Sequence, residues 1–309
     1  MQTLLVAGLD SLVGTNLALT LSEDFDVVGL AAQPLRLDPV HANVCQLENA
    51  DDVAAHIRSV QPDWIVYCGA TARSSWDGVA HFGPGDRQAA VNVAREANAS
   101  GCPLTMISTD AVFSGPWLFH DEEAPPRADG WLAQAALSTE AAVREHCPSS
   151  LIVRTHAYGW TQGSEHEGFL EPILEALESG TPISLEADRG ATPILASDLS
   201  GLLAQAFRRQ LTGLYHIAGS ERTTPYHFAK ELADVLALSA DVLKPVCHAA
   251  PDGKACETSL RVRRIHAALG NAMPMLHDGL VRLAQQRENG FAERIHAARA
   301  EAVFCENVA

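Results

Sequence analysis

The chain has no excess of positive charge, no CxxC pair, no long hydrophobic run and no internal repeat. Each absence excludes something. Its 309 residues carry 22 Lys and Arg against 38 Asp and Glu, a formal net charge of −16. Nucleic acids and anionic membranes are polyanions, so neither is an expected partner. A small anionic ligand stays compatible, because a local cluster of backbone N–H groups binds phosphate whatever the net charge. The cysteines (45, 68, 102, 147, 247, 256 and 305) are scattered, which predicts free thiols in a reducing compartment, the cytoplasm. The first twenty residues are apolar but lack a basic leader and contain Asp10, so no secretory signal is expected. No run of eighteen apolar residues occurs, which predicts no membrane span. No Cys/His/Asp spacing suggests a metal, and no GxSxG suggests a hydrolase elbow.

What is there is alternation. "TLLVAGLD", "FDVVGLA", "DWIVYCGA", "PLTMIST", "SLIVRT" and "GLYHIAG" are short apolar runs. Between them lie segments with helical spacing, such as "SLVGTNLALTLSE", "ADDVAAHIRSVQ", "RQAAVNVAREANASG" and "LSTEAAVREHC". Strands that are apolar throughout, alternating with helices, predict a parallel sheet covered on both faces. The expected class is α/β: a Rossmann-type doubly wound parallel sheet with a smaller C-terminal substrate lobe. The expected division is residues 1–155 plus 193–218 for the dinucleotide-binding domain and 156–192 plus 219–286 for the substrate lobe. Residues 287–309 form a helical tail with Phe291, Ile295, Ala298 and Ala302 on one face.

In "GLDSLVG", Gly8, Ser11 and Gly14 fall three residues apart between the first strand and the first helix. A dinucleotide site needs a tight turn, close backbone approach to the pyrophosphate and a helix N-terminus aimed at it. Gly8 and Gly14 suit the first and third needs. Ser11 stands at the middle position, where a Cβ crowds a phosphate although its hydroxyl can donate. The same spacing also fits a plain strand–helix turn. After the second strand, "GLAAQPLR" supplies no acid to hold a ribose, which disfavours strict NAD selectivity. Arg36 suits a 2′-phosphate, or an ordinary surface position.

"MISTDAVFSGP" resembles the "STDYVFDG" segment of the dTDP-4-dehydrorhamnose reductase family, which are extended short-chain dehydrogenase/reductases. "HDEEAPP" resembles that family's "YxExDPP" with His120 in place of Tyr, "LIVRTHAYGW" its "RTxxYG", and "DRGATPILASDLSGLL" its "DQxGxPTxxxDLA". "GLYHIAGSERTTPYHFAKELADVL" and "RVRRIHAALGNAMPMLHDGLVRL" are similar to its two closing segments, so the likeness runs from about residue 1 to 286. The resemblance implies NADP or NAD as cofactor, a nucleotide-sugar substrate, and a Ser/Thr hydroxyl acting with a Tyr and a Lys. Thr109 or Ser108 matches the hydroxyl. Anchored on Glu140, the Tyr position falls on Leu132 and the Lys position on Ala136; no Tyr or Lys occurs between Gly115 and Ala157. Gln46 stands where the family has an Asp near the adenine, and Tyr67 where it has Asn.

The candidate cofactor contacts are therefore Gly8, Ser11, Leu12, Gly14, Arg36, Gln46, Cys68, Gly69, Ala70 and Ser108. Candidate catalytic groups are Thr109 with His120 and His156, since only His titrates near neutrality unperturbed. Trp131, beside the Tyr position, suits a stacking role or rim packing. Two functions stay open. One is a non-catalytic binding or regulatory protein, with a nucleotide or sugar nucleotide as ligand and a protein partner or homo-oligomer; a related branch of the family resembles the regulatory subunit of methionine adenosyltransferase. The other is an NADPH-dependent oxidoreductase with a substitute proton donor.

Overall fold

The computed structural model describes residues 1–77, 83–127, 130–162, 168–247 and 257–298. The first half runs β1 (Gln2–Ala7), α1 (Leu12–Leu21), β2 (Phe25–Ala31), β3 (His41–Val44), α2 (Ala50–Val60), β4 (Trp64–Tyr67), α3 (Pro84–Ser100) and β5 (Leu104–Thr109). It continues through α4 (Trp131–His146), β6 (Leu151–Thr155), β7 (Ala157–Tyr158), α5 (Leu170–Ser179), β8 (Ile183–Glu186), β9 (Ile194–Leu195) and α6 (Ala196–Arg208). The chain closes with β10 (Gly213–His216), α7 (Pro225–Val235), β11 (Leu243–Val246), α8 (Arg263–Leu269), α9 (Leu276–Glu288) and α10 (Phe291–Ala297).

Among the described residues, seven strands form one parallel sheet in the order β10-β6-β5-β4-β1-β2-β3. Alternate residues of β1 face opposite sides. Leu4 and Val6 join one apolar cluster, with α1, α6 and the later chain. Leu5 and Ala7 join another, under α2 and α3. This is why the strands are apolar throughout, and each fully buried Leu stabilises the fold by about 1.5–3 kcal/mol. β8 pairs with β11, and β7 with β9, as two small parallel pairs outside the main sheet.

Two elements differ from their sequence signals. β3 is an exposed four-residue edge strand, His-Ala-Asn-Val, with no apolar run to announce it. α4 begins at Trp131 rather than at Leu137; its first turns are Leu, Ala and Gln, strong helix formers that carry no clear period. In the tail, Ala292, Ile295 and Ala298 are buried in the chain's main core, with Phe291 packed against it; Ala302 lies outside the described residues. The Arg36 amide donates to the Ala298 carbonyl, so the end of α10 is tied to the loop after β2. No described helix is long and apolar enough to cross a membrane.

Candidate functional site

Strand order reverses around β1, with β2 on one side and β4 on the other. A crevice at the carboxyl ends of the strands is the expected outcome of that reversal. A groove of about 390 Å³ opens there. Six of the sequence candidates line it: Gly8, Ser11, Leu12, Cys68, Gly69 and Ala70.

The turn at its base is built for close packing. Gly8 has φ +89°, and a Cβ there would meet the Cys68 carbonyl oxygen at 2.2 Å. A Cβ on Gly14 would meet the Gly8 carbonyl oxygen at 2.2 Å. Both positions thus require glycine, one for backbone sign and one for approach. Ser11 caps α1: its hydroxyl donates to the Gly8 carbonyl (2.8 Å) and accepts the Gly14 N–H (3.0 Å). The helix N-terminus that would cradle an anion has one of its donors occupied by its own cap.

Of the remaining wall, the sequence singled out Trp131 and Tyr67 but not the rest. Asp10, Glu48, Asp77 and Asp86 contribute carboxylates, and Arg73 is the basic residue among the described lining. Trp131, at the start of α4, lines the groove and is 39% exposed. Gln162 and Gly168 approach from the later chain. Burial pushes the Asp77 carboxyl up, outweighing the Ser74 amide that donates to it at 2.7 Å; its other oxygen has no hydrogen-bond partner among the described residues. Burial likewise pushes up the Cys68 thiol, which makes it a wall group rather than a nucleophile.

Gly14, Arg36, Gln46 and Ser108 lie off the described groove wall. Arg36 is turned to solvent and pairs with Asp38 (3.3 Å). Gln46 donates its amide N–H to Asp52 and its side-chain N–H to the Ala32 carbonyl. Ser108 is fully buried and donates to Glu140 (2.7 Å), which also holds Arg154 in a two-pronged ion pair at 2.9 and 2.7 Å. The Glu and Arg of the resemblance are therefore a clamp joining β5, α4 and β6.

Thr109, His120 and His156 are all buried and absent from the described groove lining. Thr109 caps the turn after β5, accepting the Ala111 N–H. His120 stacks on Phe113 (centroids 4.5 Å apart), and burial lowers its basicity. His156 Nδ1–H donates to Asp110 at 2.7 Å, with both side chains wholly buried. Ser75 and Thr258 donate to the same Asp110 oxygen at 2.7 and 2.5 Å. Burial opposes ionisation of Asp110, but His156 and these hydroxyls outweigh it and hold the carboxyl below its usual range. Ser, His and Asp meet here, yet not as a nucleophilic triad: Ser75 sits on the Nδ1 edge with the aspartate, while Nε2 has no partner. Arg189 pairs with Glu186 and crosses to the Ser75 carbonyl, so it anchors this cluster.

Leu132 is half-buried. Ala136 has no exposed surface and packs with Val112, Phe113, Ala218 and Leu260.

A seven-stranded parallel sheet, a glycine turn at its crevice and small strand pairs from the later chain define a Rossmann-type fold. The sequence profile of the RmlD substrate binding domain matches residues 1–288. The chain belongs to that family. It is 31% identical over 192 residues to the dTDP-4-dehydrorhamnose reductase of Escherichia coli (strain K12), covering 59% of this chain and 62% of that one. It is 27% identical over 214 residues to methionine adenosyltransferase 2 subunit beta of Rattus norvegicus, covering 65% and 63%. Both alignments span less than two thirds of the relative's own length. Its fold matches the dTDP-4-dehydrorhamnose reductase of Bacillus anthracis str. Ames, solved in complex with NADP, with a TM-score of 0.76 at 21% identity, over 92% of this chain and 99% of that one.

Proposed function

We propose that the groove binds a nicotinamide dinucleotide, NADP or NAD, or a nucleotide sugar, and that the protein acts as a non-catalytic binding or regulatory member of its family. One observation carries this reading. Ala136, at the position where the family resemblance expects a lysine, is enclosed in an apolar cluster. A cation there would be buried without a partner, so neither a phenol nor a nicotinamide ribose has the positive charge that such a site uses. The replacement acids are poor. His120 and His156 are buried away from the described groove wall. The phenols of Tyr67 and Tyr158 are both pushed up by burial, far from the near-neutral range an efficient proton donor needs. A regulatory role also needs a protein partner or a second copy of the chain. Trp117 and Leu118, 55% and 54% exposed, are adjacent apolar side chains that suit such a contact.

Trp131 on the groove wall provides the assay. NADPH, NADH and dTDP-sugars are titrated against tryptophan fluorescence, and nicotinamide absorbance is followed with a dTDP-4-keto-6-deoxy sugar. Binding without turnover is the expected result. Steady oxidation of NADPH by the wild-type protein overturns the non-catalytic reading, and binding of neither ligand class overturns the groove assignment.

A second reading, reduction of a carbonyl with a substitute proton donor, is favoured by Asp77. It lines the groove, burial raises its carboxyl, and one oxygen is unpartnered. Under that reading Asp77→Asn abolishes hydride transfer while leaving NADPH affinity in place.

A further inference from the structure

Cys45, Asp52 and His56 bring a sulfur, a carboxylate oxygen and an imidazole nitrogen within 4.8 Å of one another. Cys45 follows β3 and lines the groove, while Asp52 and His56 stand one helical turn apart on α2. The group is held from outside. The Cys45 amide donates to the Ala31 carbonyl (2.9 Å), which fixes its backbone to the sheet. The Gln46 amide donates to Asp52 Oδ2 at 2.8 Å, while Asp52 Oδ1 is 3.3 Å from His56 Nδ1. A carboxylate with one oxygen on a backbone N–H and the other turned toward an imidazole is the outer support that metal-ligating carboxylates carry.

We propose that these three side chains bind a divalent ion of the zinc class, independently of any nucleotide in the groove. Thiolate with imidazole suits zinc and cobalt, whereas magnesium and calcium take all-oxygen shells. Three protein ligands leave a fourth position for water or for Glu48, which lines the same wall. The negative charge of Glu48 on that wall favours a cation. On binding, the Cys45 thiol releases its proton to solvent and the thiolate bonds the ion; His56 gives up the bond its Nδ1–H makes to the Asp52 carbonyl (3.0 Å), moves its ring proton to Nε2 and offers the Nδ1 lone pair. The spacing 45, 52, 56 matches none of the compact zinc motifs, so the sequence alone pointed to no metal.

The test uses metal-free full-length protein titrated with Co²⁺ under reducing conditions, then with Zn²⁺ to displace it. One equivalent of cobalt is expected, with a thiolate-to-cobalt charge-transfer band. Cys45→Ser is expected to abolish that band, and His56→Ala to weaken cobalt binding by about tenfold or more. His56 is partly exposed on a helix, so its variant keeps the test decisive if Cys45→Ser does not fold. A folded protein that gives no band with excess cobalt overturns the proposal. So does a band that survives Cys45→Ser, or binding that His56→Ala leaves unchanged, because the ion would then sit on other thiols.

Discussion

The hydroxyl of Ser11 donates to the Gly8 carbonyl and accepts the Gly14 N–H at 3.0 Å, so that N–H points at the cap rather than at a ligand. Ser11→Gly removes both bonds. Glycine is a tolerable N-cap, and the exchange costs only a few tenths of a kcal/mol, on the order of 1 °C in Tm for a chain of this size. The freed N–H, donating to a charged phosphate, is worth about 1.5–3 kcal/mol, and loss of the Cβ lets the pyrophosphate approach the turn. Affinity therefore changes more than stability, and NADPH is expected to bind tenfold tighter or better, since 1.4 kcal/mol is a factor of ten. The assay is a fluorescence titration of both proteins at one fixed ionic strength, with ADP as a second ligand that carries the diphosphate without nicotinamide. Equal tightening for both ligands locates the effect at the diphosphate. An unchanged or weaker Kd in a folded Ser11→Gly protein refutes the reasoning, because the hydroxyl would then be a ligand and not an obstacle.

Rebuilding the family pair by Leu132→Tyr with Ala136→Lys is expected to yield no turnover and a lower Tm. The lysine enters a site with no exposed surface among Val112, Phe113, Ala218 and Leu260, and overpacking with an unpaired charge costs roughly 3 kcal/mol or more, about 5 °C; robust turnover by the double variant would show a site otherwise intact. Acidification should destabilise the protein through His216 before Asp110 protonates. His216 is held down to about 3 by burial, then by the Arg154 charge, so its stabilising contribution is complete above its unfolded value of roughly 6.5 and is lost as pH falls toward 3. Asp110 adds a second loss only below roughly pH 4, as pH falls through its lowered folded value. Denaturant unfolding from pH 8 to 4 checks this, and His216→Gln should flatten the part above pH 4; an unaltered slope removes His216 as the cause. Ile295→Ala should cost about 2–5 kcal/mol in thermal or denaturant unfolding, because the side chain is wholly buried in the chain's own core; a loss below 1 kcal/mol would mean that α10 is not docked as described.

The α/β class, the parallel sheet and six of its strands were legible because a strand buried on both faces must be apolar at every position. Leu4, Leu5, Val6 and Ala7 feed two different clusters with four consecutive residues. The glycine turn was legible because Gly8 has a positive φ and Gly14 packs on the carbonyl of its own loop; that Cys68 also crowds Gly8 was not. The tail stripe announced a buried face, but not the loop after β2 to which its end is tied. β3 was illegible because an edge strand with an exposed face needs no apolar run.

Sequence by itself determined what local sterics and hydrophobic periodicity determine: the long apolar strands and most of the helices between them, where the chain must turn tightly, and that no tyrosine or lysine occurs between Gly115 and Ala157. Only the tertiary structure decided which of the candidate residues meet. Thr109, His120 and His156 lie in the core, off the described groove wall: Thr109 is held by its neighbour Asp110, His120 by Phe113, and His156 by Asp110, a carboxylate that Thr258 also holds from 148 positions away. Asp10, Glu48, Asp77 and Asp86, separated by up to 76 positions, came together on one wall because parallel strands deliver every β–α loop to the same edge of the sheet. That edge is a property of chain topology, and no spacing along the sequence encodes it.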